Sequence, residues 1–161
     1  MRARTAVVLA ALVAVVAAAV AVPLLAGGDS RPRLTKAAYA HRVTTIFAAL
    51  GASFHDSRPG RTNAETSASL RAMKTALDRA ATALAKLRPP RDAGRDHAAL
   101  VAATRDYAAQ VDLLRASVDF GDSATIATHL HDVTAPRTIR RALADLAVKG
   151  YRIPVTVASP R

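Results

Sequence analysis

Hydrophobic side chains recur three or four positions apart along most of the chain, in four successive segments. This spacing places them on one face of an α-helix. The four faces consist of Tyr39, Val43, Ile46, Phe47, Leu50 and Phe54; Leu70, Met73, Leu77, Ala80, Leu84 and Leu87; His97, Leu100, Thr104, Tyr107, Val111, Leu114 and Val118; and Ile126, Leu130, Val133, Ile139, Leu143 and Leu146. The pattern therefore predicts four amphipathic helices.

Residues typical of helix starts and breaks lie between these segments. Thr35 is suited to cap the first helix, and the Asp-Ser-Arg-Pro-Gly stretch at 56–60 breaks it. Thr62 is followed three residues later by Glu65, which is the spacing of a capping box. The second helix is therefore expected to begin at this point.

The later connections are short as well. Pro89 and Pro90 are expected to end the second helix, and the third begins near Asp92 or Gly94. Gly121 is the glycine expected after a helix end. Pro136 either kinks the fourth helix or opens a second helical piece from a first-turn position. Four amphipathic helices with short connections predict an all-α fold, an antiparallel up-down four-helix bundle.

The N-terminus differs from the rest of the chain. Arg2 and Arg4 precede an unbroken apolar run over residues 6–22, and small residues follow. These features describe a signal peptide, although the run is also near the lower limit for a membrane-spanning signal anchor. Either reading places the remainder outside the cytoplasm, membrane-anchored or secreted. We predict a signal peptide or anchor at 1–28, a linker at 29–34, a helical bundle domain at 35–150 and an extended tail at 151–161.

Charge and composition narrow the choice of partners. The formal net charge is +11, which favours polyanions. Nucleic acid is disfavoured by the predicted compartment and by an aromatic content of 4%, which leaves few side chains for base stacking. The expected partners are an envelope protein or an anionic wall polymer, and the membrane if the N-terminal segment is retained. The oligomeric state stays open.

Two groups of arginines are candidates for binding an anionic polymer or lipid head groups. The first brackets the Pro89–Pro90 turn, and the second surrounds the break at Pro136. Their members are Arg88, Arg91 and Arg95, and Arg137, Arg140 and Arg141. A solvated basic surface without a ligand is the alternative interpretation.

Metal and catalytic sites have weaker support. His129 and His131, with His97 on another helix, are the candidate metal ligands, but residues two apart on a helix point to different sides. The chain has no cysteine, which excludes thiolate ligands and nucleophiles. Glu65 is the single glutamate, too few for a di-iron carboxylate site. We therefore predict no catalytic residue and no cofactor.

Several short landmarks carry a family resemblance. They are Leu34-Thr35-Lys36, Leu87-Arg88-Pro89-Pro90, His97-Ala98-Ala99-Leu100, Gly121-Asp122 and Lys149-Gly150-Tyr151. Together they resemble the small exported or lipoprotein-like helical bundle proteins of actinobacteria over most of residues 34–151. The resemblance implies neither an activity nor catalytic residues.

The functional expectation follows from these observations. A patterned bundle without a catalytic constellation favours a non-enzymatic, extracytoplasmic interaction or accessory module of the cell envelope. One alternative is an extracytoplasmic bundle that binds a metal or small ligand through His97, His129 and His131. The other is an electrostatic binder of anionic envelope polymers or lipids through the two arginine groups.

Overall fold

The computed structural model describes residues 32–56, 61–121 and 123–154. The predicted signal peptide or anchor at 1–28 and residues 155–161 of the predicted tail lie outside the described residues. The helices are α1 Lys36–Asp56, α2 Asn63–Ala85, a 3-10 turn Arg91–Ala93, α3 Gly94–Phe120, α4 Ser123–His131 and α5 Ala135–Val148. No strand occurs among the described residues, so the prediction of an all-α helical bundle is confirmed at this level. Within the same residues no helix is long and apolar enough to span a bilayer.

The first two helices begin where the capping residues predicted. The Ala38 amide donates to Thr35 Oγ1 at 3.2 Å at the start of α1. At the start of α2 the Glu65 amide donates to Thr62 Oγ1 at 3.2 Å, and the Thr62 amide donates to Glu65 Oε2 at 3.2 Å. This reciprocal pair is a complete capping box, which satisfies two amides that the helix itself leaves without acceptors.

The third helix ends as the sequence predicts, whereas the second ends earlier. Gly121 adopts a left-handed φ of 71°, and its amide donates to the Val118 carbonyl at 3.1 Å. Helix α2 ends at Ala85, before Pro89 is reached, because a turn in which the Leu87 amide donates to the Leu84 carbonyl closes it. The prolines therefore lie in the connection to α3.

The predicted fourth helix consists of two pieces. Helix α4 ends at His131, and α5 begins with Pro136 in its first turn, where the missing amide costs no hydrogen bond. The α5 start is capped from another helix, since the Ala135 amide donates to Gln110 Oε1 on α3 at 3.2 Å. This outcome decides between the two alternatives for Pro136: it opens a second helix.

The predicted apolar faces form the core. Helices α2 and α3 share the most extensive interface, α5 packs against α3, and α1 packs against α2 over a smaller area. The largest fully buried aliphatic side chains are Val43, Leu77, Leu84, Leu100 and Leu146. Each lies on a face that the spacing of apolar residues predicted.

The predicted burial of one residue is wrong. Leu130 was expected to face inward but is 57% exposed, and nearby Phe120 at the end of α3 is 87% exposed. Helix α4 has nine residues, and its main packing partner among the described residues is α3. Ile126 packs against the core, and His129 Nδ1 lies 2.7 Å from Ser117 Oγ. A helix with one main neighbour buries a narrower stripe than the spacing of apolar residues suggests.

The capping box gives a prediction for stability. Replacing Thr62 with Ala removes the side-chain acceptor at the α2 start, so the free energy of unfolding should fall by about 1 kcal/mol. Thr75→Ala is the matched control, because Thr75 is exposed in the same helix and its hydroxyl donates to the Arg71 carbonyl rather than capping a helix end. Urea denaturation checks both variants. Equal stability of the two would contradict a stabilising cap.

Candidate functional site

The densest group of polar and aromatic side chains lies where three helix ends meet, and we call it the end cluster. It is built from the start of α1, the start of α3 and the end of α5. Its members are Lys36, Tyr39, Asp92, Asp96, His97, Lys149 and Tyr151. Up to 115 positions separate its members along the chain, so tertiary packing alone brings them together.

Asp92 is held from two sides. Its Oδ2 lies 2.8 Å from Lys36 Nζ, and its Oδ1 accepts a 2.7 Å hydrogen bond from the Tyr151 hydroxyl. The hydrogen bond from Lys36 lowers the pKa of Asp92, and the bond from Tyr151 lowers it further. The carboxylate is therefore ionised at neutral pH, and both of its oxygens are engaged, one by Lys36 and one by Tyr151.

The second ion pair links α3 to the end of α5. Lys149 Nζ lies 2.7 Å from Asp96 Oδ2 and also donates to the Asp92 carbonyl at 2.9 Å. Lys36 Nζ in turn donates to the Lys149 carbonyl at 3.1 Å. The two ammonium groups thus join backbone and side-chain acceptors of α3 and the end of α5.

Three rings fill the interior of the end cluster. Tyr39 is fully buried and packs edge-on against Tyr151, with ring centroids 5.5 Å apart, and against His97 at 5.7 Å. The Tyr39 hydroxyl also lies 3.1 Å from His97 Nδ1. Burial raises the pKa of Tyr39 to about 12 and lowers the pKa of His97. At neutral pH the cluster interior therefore consists of a protonated phenol beside a neutral imidazole.

The end of helix α5 positions Tyr151 in the end cluster. The Gly150 amide donates to the Ala147 carbonyl at 2.9 Å and the Tyr151 amide to the Leu146 carbonyl at 3.1 Å. These bonds form a Schellman motif, which requires the left-handed φ of 84° that Gly150 adopts. In this motif the residue after the glycine packs back on the helix, and Tyr151 is 2% exposed.

The contacts of the end cluster are those of a structural cluster that joins helix ends. Both carboxylates are paired with ammonium groups, and Tyr39, His97 and Tyr151 have hydrogen-bonding partners within it. Burial raises the pKa of Tyr151 as well, which opposes its ionisation. Of these residues the sequence singled out only His97 as a candidate. The glycine followed by an aromatic residue at 150–151 was the local signal for Tyr151.

The structure does not bring the three candidate metal ligands together. His97 belongs to the end cluster, while His129 contacts Ser117, twenty positions further along α3. At 1.5 Å of rise per residue, His97 and Ser117 are about 30 Å apart. His131 is exposed at the end of α4. No group of three potential ligands capable of holding a metal ion occurs in the part of the chain that is described.

The two arginine groups both lie partly at the surface. Arg91 and Arg95 are exposed one helical turn apart, and so are Arg137 and Arg141. None of these four guanidinium groups has a carboxylate partner within residues 32–56, 61–121 and 123–154. The other two members differ, because Arg88 and Arg140 each interact within the protein. The ligand-accessible part of the predicted surface is therefore two arginine pairs.

Lysine and arginine have different roles in this protein. Three lysines form ion pairs with aspartates, and so does Arg115, which bridges Asp112 and Asp119 on its own helix. The paired lysines are Lys36, Lys74 and Lys149. Lysine charge is thus largely neutralised internally, while the four arginines Arg91, Arg95, Arg137 and Arg141 keep their charge for solvent or a ligand.

His97 gives a pH-dependent prediction. Because burial lowers its pKa, the unfolded chain binds this proton more readily than the folded protein does. The free energy of unfolding should therefore fall as the pH drops below the ordinary histidine pKa of about 6.5. His97→Asn retains a polar atom toward Tyr39 but does not titrate, so it should flatten this dependence between about pH 7 and 5.

Urea denaturation at several pH values provides the measurement, with His41→Asn on the exposed side of α1 as the matched control. The slope of stability against pH decides the outcome, because His97→Asn also changes overall stability. An unchanged slope in His97→Asn would show that this imidazole titrates alike in both states.

Comparisons with protein-family models, with curated proteins and with solved structures find no match to this chain. The resemblance to exported helical bundle proteins of actinobacteria therefore stays a prediction.

Proposed function

We propose that this protein is a non-enzymatic interaction module of the cell envelope, exported or anchored through residues 1–28. Its bundle has an antiparallel up-down arrangement in this proposal, with α4 and α5 together forming the fourth segment. It binds an anionic envelope partner through its exposed arginines. The observation that carries the proposal is the set of surface guanidinium groups that have no carboxylate partner among the described residues, beside three lysines that are paired.

The spacing of these arginines supports a binding role. Arg91 and Arg95, like Arg137 and Arg141, are separated by four positions. Arg137 and Arg141 both lie on α5, where like charges at this spacing destabilise a helix by about 0.2–0.5 kcal/mol per pair, whereas Arg91 lies in the 3-10 turn before α3. A bound anion removes this repulsion, because guanidinium groups form paired hydrogen bonds to phosphate or carboxylate.

The net charge supports the same proposal at longer range. A formal charge of +11 on 161 residues attracts polyanions and speeds encounter with them. Screening by salt weakens such attraction, because the Debye length is about 8 Å at physiological ionic strength. Salt-dependent retention is therefore the signature of this function.

Charge reversal tests the binding proposal. Arg91→Glu with Arg95→Glu, and Arg137→Glu with Arg141→Glu, should each reduce retention on an anionic wall-polymer matrix and lower the salt concentration that elutes the protein. Arg42→Glu with Arg105→Glu is the control, because it changes the net charge equally at two separate exposed positions. The paired variants should lose more retention than the control.

Retention that is independent of salt, or equally reduced in all three variants, would contradict a localised arginine surface. Turnover of a wall or lipid substrate by the purified protein, abolished by a single substitution, would contradict the non-enzymatic part of the proposal.

Export is tested by the intact mass of the natural protein in cell fractions. We expect either the full-length mass in the membrane fraction or a mass that begins near Val22 or Asp29 in the medium. The first result means a retained anchor and the second a cleaved signal peptide. Full-length protein in the cytosolic fraction would contradict an extracytoplasmic function.

A further inference from the structure

A groove of about 580 Å³ runs along α2 beside the C-terminal half of α1. Ser53 lines the groove from α1, and the other lining residues belong to α2. These are Ala68, Arg71, Ala72, Thr75, Ala76 and Arg79. The groove lies apart from the end cluster and from both arginine groups that the sequence indicated.

Small side chains on α2 leave this space open. Ala68, Ala72 and Ala76 follow one another at four-residue spacing, which places them in one row along the helix. Ala68 and Ala72 are exposed, and Ala76 is partly buried. These methyl groups form the apolar base of the groove, and they are too small to fill it.

A second row on α2 supplies positive charge. Arg71 and Arg79 lie two helical turns apart, about 12 Å along the axis, with Thr75 between them. Neither guanidinium has a carboxylate partner within the described residues. The nearest acid along the chain, Asp78, is paired with Lys74 at 2.7 Å. None of the described lining residues is acidic, and Arg71 and Arg79 make this part of the groove cationic.

The chemistry of the ligand follows from this arrangement. A guanidinium binds a phosphate through two parallel hydrogen bonds. Two such groups in series suit a ligand that carries several anions in a row, and the alanine floor suits short aliphatic units between them. The lining residues include no aromatic side chain, so nucleic-acid bases have no stacking partner in the groove.

We propose that the α1–α2 groove seats a linear phosphodiester polymer whose phosphates are joined by short aliphatic units. Arg71 and Arg79, about 12 Å apart along the helix axis, bind phosphate groups along the polymer, and the alanine row contacts the linking carbons. This inference rests on the proposed function, since it names the class of polymer and one binding site for it on the cationic surface.

A substitution that fills the groove without changing its charge provides the sharpest test. Ala72→Trp puts a large ring on the floor at an exposed position, so the core is undisturbed. Ala109→Trp, at an exposed position of α3, is the matched control. The full chain is titrated in detergent against a fluorescent glycerol-phosphate oligomer, with anisotropy as the readout.

We expect Ala72→Trp to weaken binding about tenfold or more, as loss of a central contact does, and Ala109→Trp to leave it unchanged. Arg71→Gln with Arg79→Gln should weaken binding similarly, and circular dichroism confirms that the variants fold. Polyglutamate and single-stranded DNA of equal charge should bind more weakly than the oligomer.

The other outcomes separate the two proposals. Unchanged binding by Ala72→Trp, together with weakened binding by Arg91→Glu with Arg95→Glu, would overturn the groove while leaving the proposed function in place. No binding of any polyanion by the wild-type chain would overturn both. Equal affinity for polyglutamate would overturn the preference for phosphate, and equal affinity for DNA would overturn the preference for aliphatic linking units.

Discussion

The contacts of the Lys36 ammonium group connect the start of the first helix to two other parts of the end cluster. One nitrogen atom reaches the Asp92 carboxylate and the Lys149 carbonyl, and it lies 5.1 Å from the centre of the Tyr151 ring. Helix α1 has a smaller interface with α2 than α2 has with α3, but it still buries Tyr39, Val43, Phe47 and Leu50. An ion pair as exposed as Lys36–Asp92 contributes little to stability, so this apolar row holds most of α1 in place. The charged contacts add to it at one end, where they specify which helix ends meet.

The sequence predicted what is local and missed what is not. The capping box at Thr62 and the glycine end at Gly121 are encoded within a few residues, and both were found. Leu130 was placed inward because helical spacing reports which face is apolar, not whether a neighbour covers it. The end cluster escaped prediction because pairs such as Lys36 and Asp92 are brought together only by the packing of α1 on the bundle. The α1–α2 groove escaped for the opposite reason, since a row of alanines also fits close helix packing.

The division between lysine and arginine connects stability to function. Lysines near helix ends neutralise aspartates, and they fix which ends meet. Exposed arginines without carboxylate partners contribute little to holding the fold together, so they are available to a ligand. A guanidinium is always charged and is more weakly hydrated than an ammonium group, so it suits an anion-binding surface. The bundle can therefore carry a large positive charge while its own ion pairs stay intact.

Helix α4 is attached to the bundle by few contacts, and the helices on either side of it are capped without it. Gly121 ends α3 before it, and Gln110 on α3 caps α5 after it, so these two caps among the described residues come from outside α4. The Ser117–His129 contact is one polar attachment of α4 to the bundle. Segments with few buried contacts open at a lower free energy than the whole domain unfolds. We therefore expect residues 123–131 to open without unfolding the rest of the domain, so that their amide protons exchange with solvent while those of α3 and α5 stay protected.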